Sequence, residues 1–476
     1  MRSLGKYSYL IALGLSITAV GCKLPTNMQV KENREVPKAY MGSSDTTMSS
    51  LQWRDFFKDP YLATLIDTAL VRNQELNITL QEIEIARSEV RARKGAILPT
   101  VTARAGAGVE KVGRYTSQGA GDASTEILPG KEVPDPLADY TIGAYANWEV
   151  DIWKKLRNAK KAAVNRYLAT VEGKNFVLTG LIAEVANSYY ELLALDNQLA
   201  IVRQNIELQK NALEIVKLQK EAARTTELAV QKFQAEVLNT QSLEFNIQQQ
   251  IIEAENRINF LLGRYPQPIA RDKNEFLALA PQSVSSGIPS QLLANRPDIK
   301  QAELELKAAK LDVKVARAEF YPQFEISAGV GFQAFNPSYL IKAPESLLWS
   351  LVGDLAAPLI NRNAIKAEYY KANAEQIQAM YNYERTILNA YIEVANQVSN
   401  ISNLGKAYDL KSKQVDALTR SINISNDLFK SARADYLEVL MTQRDALEAK
   451  LELIETKKNQ LNGSVNVYRN LGGGWQ

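Results

Sequence analysis

Few side chains in this 476-residue sequence could carry catalytic or metal-binding chemistry. The chain contains no histidine, which removes imidazole bases, Ser-His-Asp and Cys-His nucleophile systems, and histidine-bound zinc. Its single cysteine, Cys22, allows neither an internal disulfide nor a metal site built from several cysteines. The sequence also lacks a phosphate-binding glycine loop followed by lysine. We therefore expect no catalytic residue, no cofactor and no bound metal, and a protein that is not an enzyme.

The position of Cys22 indicates a different chemistry, the attachment of lipid. Arg2 and Lys6 precede an apolar stretch, 9–20, that is too short for a permanent membrane helix. Small residues then lead into Cys22, a pattern that resembles a bacterial lipobox, although Ala19 stands where leucine is usual. The alternative is an ordinary cleaved signal with an incidental cysteine. The interpretation that we favour divides this region into a signal peptide, 1–21, and a lipidated polar tether, 22–55.

The charge of the chain argues against nucleic acid as a partner. The formal net charge is +3, and loss of the segment with Arg2 and Lys6 brings the chain close to neutrality. A nucleic-acid-binding protein needs a basic excess to neutralise phosphates, and none is present. The apolar content of 46% and charged content of 23% are instead typical of an ordinary folded protein.

The sequence contains two copies of one unit. The segment 184–187 recurs at 393–396, an offset of 209 residues, and 105–108 is matched at 328–331, an offset of 223. Each offset holds without gaps over its own block, so the loop between the blocks is longer in the first copy. The predicted organisation is a first repeat, 56–270, an inter-repeat linker, 271–290, and a second repeat, 291–476.

Long helices account for most of each repeat. Proline is absent from 137–265 and from 359 to the end, and apolar residues in the first of these tracts keep a heptad spacing. Each repeat is predicted to pair one helix of roughly 105 Å, at ~1.5 Å per residue, with two shorter helices stacked end to end. The predicted helices are 61–96, 152–222 and 228–262 in the first repeat, and 292–319, 361–431 and 436–470 in the second.

Away from the turns between the helices, the repeat of the apolar residues changes from seven residues to two. Apolar and polar or small residues alternate over about ten residues, the length of a membrane-spanning β-strand. Trp148, Trp153 and Trp349 lie near strand ends, where interfacial aromatic residues occur. Alternation alone would equally suit a soluble hairpin packed on a helix. The predicted strands are 99–110, 140–151, 322–333 and 346–356.

Four strands cannot form a closed membrane barrel, because lipid tolerates no open sheet edge and the smallest barrels need about eight strands. The chain is therefore expected to oligomerise. Two copies would give eight strands with an interior filled by side chains, whereas three would give twelve and leave room for a channel. The fold class that we predict is mainly α with a small β part.

Several motifs resemble one known family. Arg296-Pro297-Asp298-Ile299, followed by Ala302-Glu303, is similar to the R-P-D-I-x-x-A-E signature of TolC-like outer-membrane efflux proteins. The segments 148–153, 321–324 and 471–475 are similar to the lipoprotein branch of that family. The resemblance implies a homotrimer whose periplasmic α-barrel of coiled-coil hairpins is continuous with a 12-stranded transmembrane β-barrel. It implies the passive exit duct of a tripartite pump, with a periplasmic adaptor and an inner-membrane RND-type transporter, lipid-anchored in the outer membrane.

The resemblance also assigns residues at the helix turns. The family closes its periplasmic end with acidic residues, and the matching stretch here contains Asp435, Glu438, Leu440 and Met441. Glu438 falls on the first acidic position and Met441 on the second, so a ring of Glu438 carboxylates would be combined with apolar closure by Met441 or Leu440. The alternative is that Asp435 and Glu438 are ordinary solvated turn residues. The corresponding adaptor-contact positions are Arg224, Thr225, Ser431 and Arg433.

The R-P-D-I segment has a structural interpretation of its own. Pro297 suits the first turn of a helix, and Asp298 complements the positive end of that helix. We expect these residues to start a helix of the second repeat, not to contact cargo. Two other functions suit only part of the sequence. A periplasmic coiled-coil adaptor or scaffold would need no membrane strands but would carry β-rich binding domains, and a free-standing porin would lack such long helices.

Overall fold

A computed structural model describes most of the chain after the N-terminal region. The fold is mainly helical with a small β part, as predicted. Its contacts divide it into two units, one formed by Ile85–Tyr167 with Leu304–Met380 and the other by Glu32–Glu84, Leu168–Glu303 and Tyr381–Gln476. Among the described residues, no helix has both the length and the apolar character to cross a membrane. The described residues are 32–33, 35–37, 39–40, 52–273, 276–281, 287–358, 360, 362–431 and 433–475.

The first repeat contains six helices and four strands. Asp59 caps α2 by accepting hydrogen bonds from the backbone N–H groups of Tyr61 and Leu62. The predicted helix at 61–96 is divided at Asn73, which adopts an extended backbone. The elements are α1 Trp53–Phe56, α2 Pro60–Arg72, α3 Gln74–Gly95, β1 Thr100–Glu110, α4 Ser117–Asp122, β2 Glu126–Leu128, β3 Lys131–Glu132, β4 Leu137–Glu149, α5 Lys155–Glu221 and α6 Glu227–Leu261.

The second repeat contains the same succession of long elements in a shorter form. Short 3₁₀ turns at Phe276–Ala278 and Pro289–Gln291 precede it, and another, Pro337–Tyr339, lies between its strands. The two long helices predicted at 152–222 and 361–431 are present as single helices, α5 and α9. The elements are α7 Leu292–Asn295, α8 Pro297–Ala318, β5 Gln323–Ala334, β6 Leu347–Ala356, α9 Asn363–Lys430 and α10 Tyr436–Asn470.

One four-stranded antiparallel sheet combines the strands of both repeats in the order β1-β4-β5-β6. The central pair joins the repeats, with Ala144 opposite Val330 and Gly143 opposite Gly331. At this crossing a Cβ on Gly143 would lie 2.7 Å from the carbonyl oxygen of Val330, so the backbones approach too closely for any side chain. Strands β1 and β6 form the two edges, and every residue of β1 is exposed.

The two faces of this sheet differ in chemistry. Because side chains alternate along a strand, the register assigns each residue to one face. One face carries mostly apolar side chains and several are exposed, such as Trp349 at 75% and Leu351 at 70%. The other face carries mostly polar, charged or glycine residues, including Thr102, Asn147 and Ser327. This is the alternation expected of a wall between an apolar and an aqueous phase.

The unit without the sheet contains the largest apolar core. Its main cluster brings together residues of α1, α2, α5, α6 and α10, with Leu62, Ile66 and Leu192 fully buried. Phe56 stacks on Tyr468 with ring centroids 4.4 Å apart, which joins the start of the first repeat to the last helix of the second. The unit that contains the sheet has a smaller cluster around Phe320 and Tyr369.

Candidate functional site

Each long hairpin turns in the same way. In the first, the Arg224 N–H donates to the carbonyl of Gln219 at 2.8 Å, and in the second the Arg433 N–H donates to that of Leu428 at 2.8 Å. These contacts occupy equivalent positions at the offset of 209 residues. The described residues of both turns therefore share one backbone plan, and Ala223 adopts a positive φ of 54° within the first.

The helix that follows each turn is capped by a side chain. Thr226 accepts a hydrogen bond from the Ala229 N–H at the start of α6. At the equivalent position Asp435 accepts one from the Tyr436 N–H at 2.6 Å, at the start of α10. A carboxylate there satisfies an otherwise unpaired N–H and complements the helix dipole. Asp435, expected at the gate, therefore has a clear structural role.

The two turns pack against each other through one apolar cluster. Leu213 and Val216 of α5 and Phe233 of α6 are buried together with Val439 of α10. Leu440 packs against the edge of this cluster and is half-buried. The structure thus brings the expected gate and adaptor residues into one region, which we call the tip.

Besides Asp435, which caps α10, two of the expected gate residues are exposed at the tip. Met441 is 44% exposed, and Glu438 is exposed and lies one turn before it. Glu438 makes no side-chain hydrogen bond or ion pair with any residue that the structure describes. Leu437 is also exposed, at 43%. The side chains that this part of α10 offers to a neighbouring chain are therefore Leu437, Glu438 and Met441, with Leu440 turned toward the tip cluster.

The expected adaptor-contact residues lie on the outside of the turns. Arg224, Ser431 and Arg433 are exposed, whereas Thr225 is half-buried. The Ser431 hydroxyl donates to the carbonyl of Asp427 at 2.6 Å, at the end of α9. Within the described part of the chain, neither arginine side chain forms an ion pair or hydrogen bond. Two guanidinium groups are therefore available at equivalent places.

Acidic residues at the two turns have different surroundings. Glu227, at the first, accepts a hydrogen bond from Gln231 at 2.7 Å and pairs with Lys220. The hydrogen bond from Gln231, followed by that from Lys220, lowers the pKa of this carboxyl. Its charge is therefore locally compensated, whereas the described surroundings of Glu438 supply no such partner.

The R-P-D-I motif lies elsewhere in the same unit and joins three helices. Arg296 is 5% exposed, and its guanidinium binds both carboxylate oxygens of Asp298, at 2.9 and 2.6 Å. It also donates to Glu393 on α9 at 2.8 Å and to the carbonyl of Asn470 at the end of α10 at 3.0 Å. Burial acts to lower the pKa of Arg296, but the hydrogen bonds and charges of Asp298 and Glu393 outweigh it and raise the pKa. Ile299 is buried at 1% exposure.

Pro297 is the first residue of α8, as the sequence analysis expected for this motif. The carboxylate of Asp298, in contrast, is held by Arg296 in addition to lying in the first turn of the helix. The motif therefore anchors the end of the second repeat as well as starting its first long helix.

A row of carboxylates on the sheet was not anticipated from the sequence. Glu149 lies opposite Glu325, and Glu325 lies opposite Asp354, so three adjacent strands place one acidic residue each on the polar face. Lys155 pairs with Glu149 at 2.6 Å. Each residue is unremarkable in its own strand. Only the register between strands of different repeats reveals the row.

Cys22 and the predicted signal peptide lie outside the described residues. The following segment enters the structure at a few positions, where Tyr40 is buried and stacks on Tyr391 of α9 with centroids 5.4 Å apart. The predicted tether, 22–55, therefore ends in contact with the second repeat, and its last residues already form part of α1.

The chain is similar to proteins of known type over nearly all of its length. The family described as outer membrane efflux protein matches residues 65–264 and 288–473. The pyoverdine export outer membrane protein OpmQ of Pseudomonas aeruginosa is 28% identical over 438 residues, which is 92% of this chain and 90% of OpmQ. The cation efflux system protein CusC of Escherichia coli is 26% identical over 98% of this chain and 99% of CusC.

Solved structures have the same fold. The CusC structure has a TM-score of 0.82 at 24% identity, with 94% of this chain and 99% of CusC covered. The open state of the MtrE outer membrane channel of Neisseria gonorrhoeae has a TM-score of 0.81 at 24% identity, with 95% and 99% covered. These neighbours combine a helical barrel with a β-barrel.

Proposed function

The chain belongs to the outer membrane efflux protein family and is an outer-membrane efflux channel that extends into the periplasm, and we propose that it works as a homotrimer. In this assembly, three four-stranded sheets form one 12-stranded barrel and the helical hairpins form a helical barrel. The relatives are named as export and efflux proteins, in keeping with a passive duct.

The observation that carries the assembly is the pair of unpaired sheet edges, and the number of three copies is what the family resemblance implies. Strands β1 and β6 are 11 and 10 residues long and each lacks a partner on one side within the described chain. Such edges cannot lie in lipid, because their N–H and C=O groups would have no hydrogen-bond partner. Pairing β1 of one copy with β6 of the next gives the backbone groups of both edges their hydrogen-bond partners. The exposed apolar face then meets lipid.

Native mass spectrometry of the full-length protein in detergent tests this assembly. We expect a particle of three times the protomer mass, with no stable monomer. A monomer that keeps its full β-strand content, measured by circular dichroism on the same sample, would contradict the proposal. A dimer would instead favour an eight-stranded barrel with a filled interior.

We further propose that the duct serves a tripartite pump, together with a periplasmic adaptor and an inner-membrane RND-type transporter. The unpaired guanidinium groups of Arg224 and Arg433 support the tip as the adaptor surface. Because these two positive charges lie at equivalent places, an adaptor that presents the same acidic residue in several copies could pair with both. Charge reversal at both, with Arg224→Glu and Arg433→Glu, is expected to abolish efflux in cells while leaving single-channel conductance unchanged. Loss of conductance as well would mean that the variants damage the duct itself.

The proposed gate is the ring that three copies of Glu438 and Met441 would form where the tips converge. Carboxylates in a narrow ring attract cations and repel anions, and the methionine side chains add an apolar constriction. Asp435 and Leu440 support the ring, the first as the cap of α10 and the second through the tip cluster. An adaptor would open the ring by favouring an open state that already exists.

We propose lipidation of Cys22 as the membrane anchor that accompanies the barrel. Cys22→Ser should abolish labelling by a radioactive fatty acid, and persistent labelling would contradict the assignment. The cargo is not specified by the residues of the duct. The relatives' names include a pyoverdine exporter, a cation efflux protein and a solvent efflux pump component, so similar channels serve very different cargo.

A further inference from the structure

In the part of the chain that the structure describes, the helical seam of the unit that contains the tip includes two separate apolar clusters. The tip cluster includes Leu213 of α5, Val237 of α6 and Val439 of α10. A larger cluster, which we call the body cluster, begins on the same helices at Ile206, Ile247 and Leu447. A continuous coiled-coil seam would keep apolar residues at every inward position across this interval.

Between the two clusters, each of the three helices buries a polar residue instead. These are Gln209 of α5, Thr240 of α6 and Gln443 of α10, which are 0%, 1% and 3% exposed. The ion pairs Arg203–Glu244 and Lys220–Glu227 fix the register of α5 against α6, and this register places Thr240 within one turn of the level of Gln209. Gln443 lies one turn after Val439 of the tip cluster and one turn before Leu447 of the body cluster. We call Gln209, Thr240 and Gln443 the polar layer.

The polar layer is poorly satisfied in this arrangement. Both amide atoms of Gln209 and the amide oxygen of Gln443 are buried without a hydrogen-bond partner among the residues described. The Thr240 hydroxyl donates to the carbonyl of Glu236 in its own helix, so it does not supply either amide. Unpaired buried polar atoms weaken packing locally, and they regain partners when water enters.

From these contacts we propose that the polar layer is the boundary at which the tip opens as one unit while the body of the helical seam stays closed. Apolar packing couples residues within the tip cluster and within the body cluster, but the layer between them contributes little to holding the helices together. Opening on the tip side therefore disrupts only the smaller cluster, which is the behaviour of a local unfolding unit. This inference rests on the proposed gated duct, because it assigns the limit of the segment that moves when the gate opens.

Hydrogen exchange of the full-length protein in detergent, read by mass spectrometry, tests the boundary. We expect peptides from 213–237 and 429–441 to exchange faster than peptides from 181–206 and 447–468. Replacing the layer with apolar side chains, in Gln209→Leu combined with Gln443→Leu, should slow exchange in the tip peptides by about ten-fold or more and leave the body peptides unchanged.

Gln234→Leu provides the matched control. Gln234 is the repeat equivalent of Gln443 but is exposed, so its substitution should leave exchange unchanged in both groups of peptides. If the double variant assembles poorly, Gln209→Met alone should slow the tip peptides in the same direction, because it keeps the side-chain length. Unchanged tip exchange, or equal slowing of tip and body, would overturn the boundary.

The test separates this inference from the proposed gate. The boundary is judged by hydrogen exchange alone, whereas the gate is judged by ion preference in planar bilayers. A change in tip exchange together with an ion preference that ignores Glu438 would support the boundary and refute the gate. Tip and body peptides that exchange equally fast in the unmodified protein would refute the boundary whatever the channel recordings show.

Discussion

In each repeat, one side chain ties the start of the helix that leads to the strands to the end of the last long helix, and we call this contact the joint. The two repeats form it with different side chains. In the first, Asn73 donates its amide to the carbonyl of Leu261 at the end of α6, at 2.9 Å. In the second, Arg296 donates to the carbonyl of Asn470 at the end of α10, at 3.0 Å. Both residues precede the helix that leads to the strands, and each carbonyl belongs to the last long helix of its repeat. The backbone plan is therefore shared, while the donor changes from a neutral amide to a charged guanidinium.

The second joint makes contacts that the first does not. Arg296 also binds Asp298 and Glu393, so it ties α8, α9 and α10 together. At the position equivalent to Glu393, the first repeat carries Glu184, which pairs instead with Arg257 of α6 at 3.2 Å. A charged centre thus holds three helices in one repeat, and a neutral contact serves in the other.

The largest expected effect comes from removing the two donors. Arg296→Ala leaves a partly buried carboxylate and a buried carbonyl without their partner and should destabilise the protein by about 3–5 kcal/mol. Asn73→Ala leaves both the Leu261 carbonyl and the Leu76 N–H without the amide that pairs with them, and it should cost about 1–3 kcal/mol. Thermal unfolding followed by circular dichroism at one scan rate measures both. Equal losses would show that the charges around Arg296 add nothing to the shared backbone contact.

Both joints also contain a glycine with a positive φ. Gly263 and Gly472 have φ values of 62° and 84°, and a Cβ would lie 2.4 Å from the Arg72 carbonyl oxygen and 2.6 Å from that of Asn295. Alanine at either glycine should therefore cost at least about 1–2 kcal/mol, and the two losses should be similar.

Gly405→Ala is the control for these glycine variants. Gly405 lies inside α9 and a Cβ there would meet nothing within 4 Å, so alanine should be neutral or stabilising by up to about 1 kcal/mol. A loss at only one of Gly263 and Gly472 would break the equivalence of the two joints.

The caps at the tips give a smaller effect. Asp435→Ala and Thr226→Ala each remove the side-chain acceptor at the start of α10 or α6 and should cost about 0.5–2 kcal/mol. Because the tip is small, hydrogen exchange of tip peptides is a better measure than the global melting temperature. Asp435→Asn keeps the cap and should restore protection. If it does not, the negative charge of Asp435, and not its capping role, is what the tip requires.

The sequence was sufficient to predict the fold because its signals are local. A heptad pattern without proline predicts a long coiled-coil helix, and alternation over ten residues predicts a strand, so α5, α9 and the four strands of the large sheet could be anticipated. The capping role of Asp435 could also have been recognised, since it directly precedes a predicted helix at 436–470. The gate interpretation instead rested on resemblance.

Other features depend on contacts that no local pattern records. Arg296 meets the carbonyl of a residue 174 positions away, and the row of Glu149, Glu325 and Asp354 exists only through pairing between strands of different repeats. The polar layer could be predicted from the sequence only in part. Gln209 and Thr240 are visible as polar residues in the heptad seam, but the unmet hydrogen bonds of Gln209 and Gln443 appear only once the helices are packed.

The two repeats also differ at the tip in how their acidic side chains are compensated. Glu438 lies on the exposed face of α10 without a compensating partner among the described residues, whereas Glu227 in the first hairpin is paired with Lys220 and Gln231. Three copies of an uncompensated carboxylate in a narrow pore should favour cations, so Glu438→Ala should lower the cation-to-anion permeability ratio in planar bilayers. Glu227→Ala should change that ratio less, because Glu227 lies at the start of α6, outside the proposed ring of Glu438. Neither substitution removes a cap or a buried contact, so each variant should keep its trimer mass and melting temperature. If the two variants shift the ratio equally, or if Glu438→Ala does not shift it, selection lies elsewhere in the duct and the carboxylate row on the sheet becomes the next region to test.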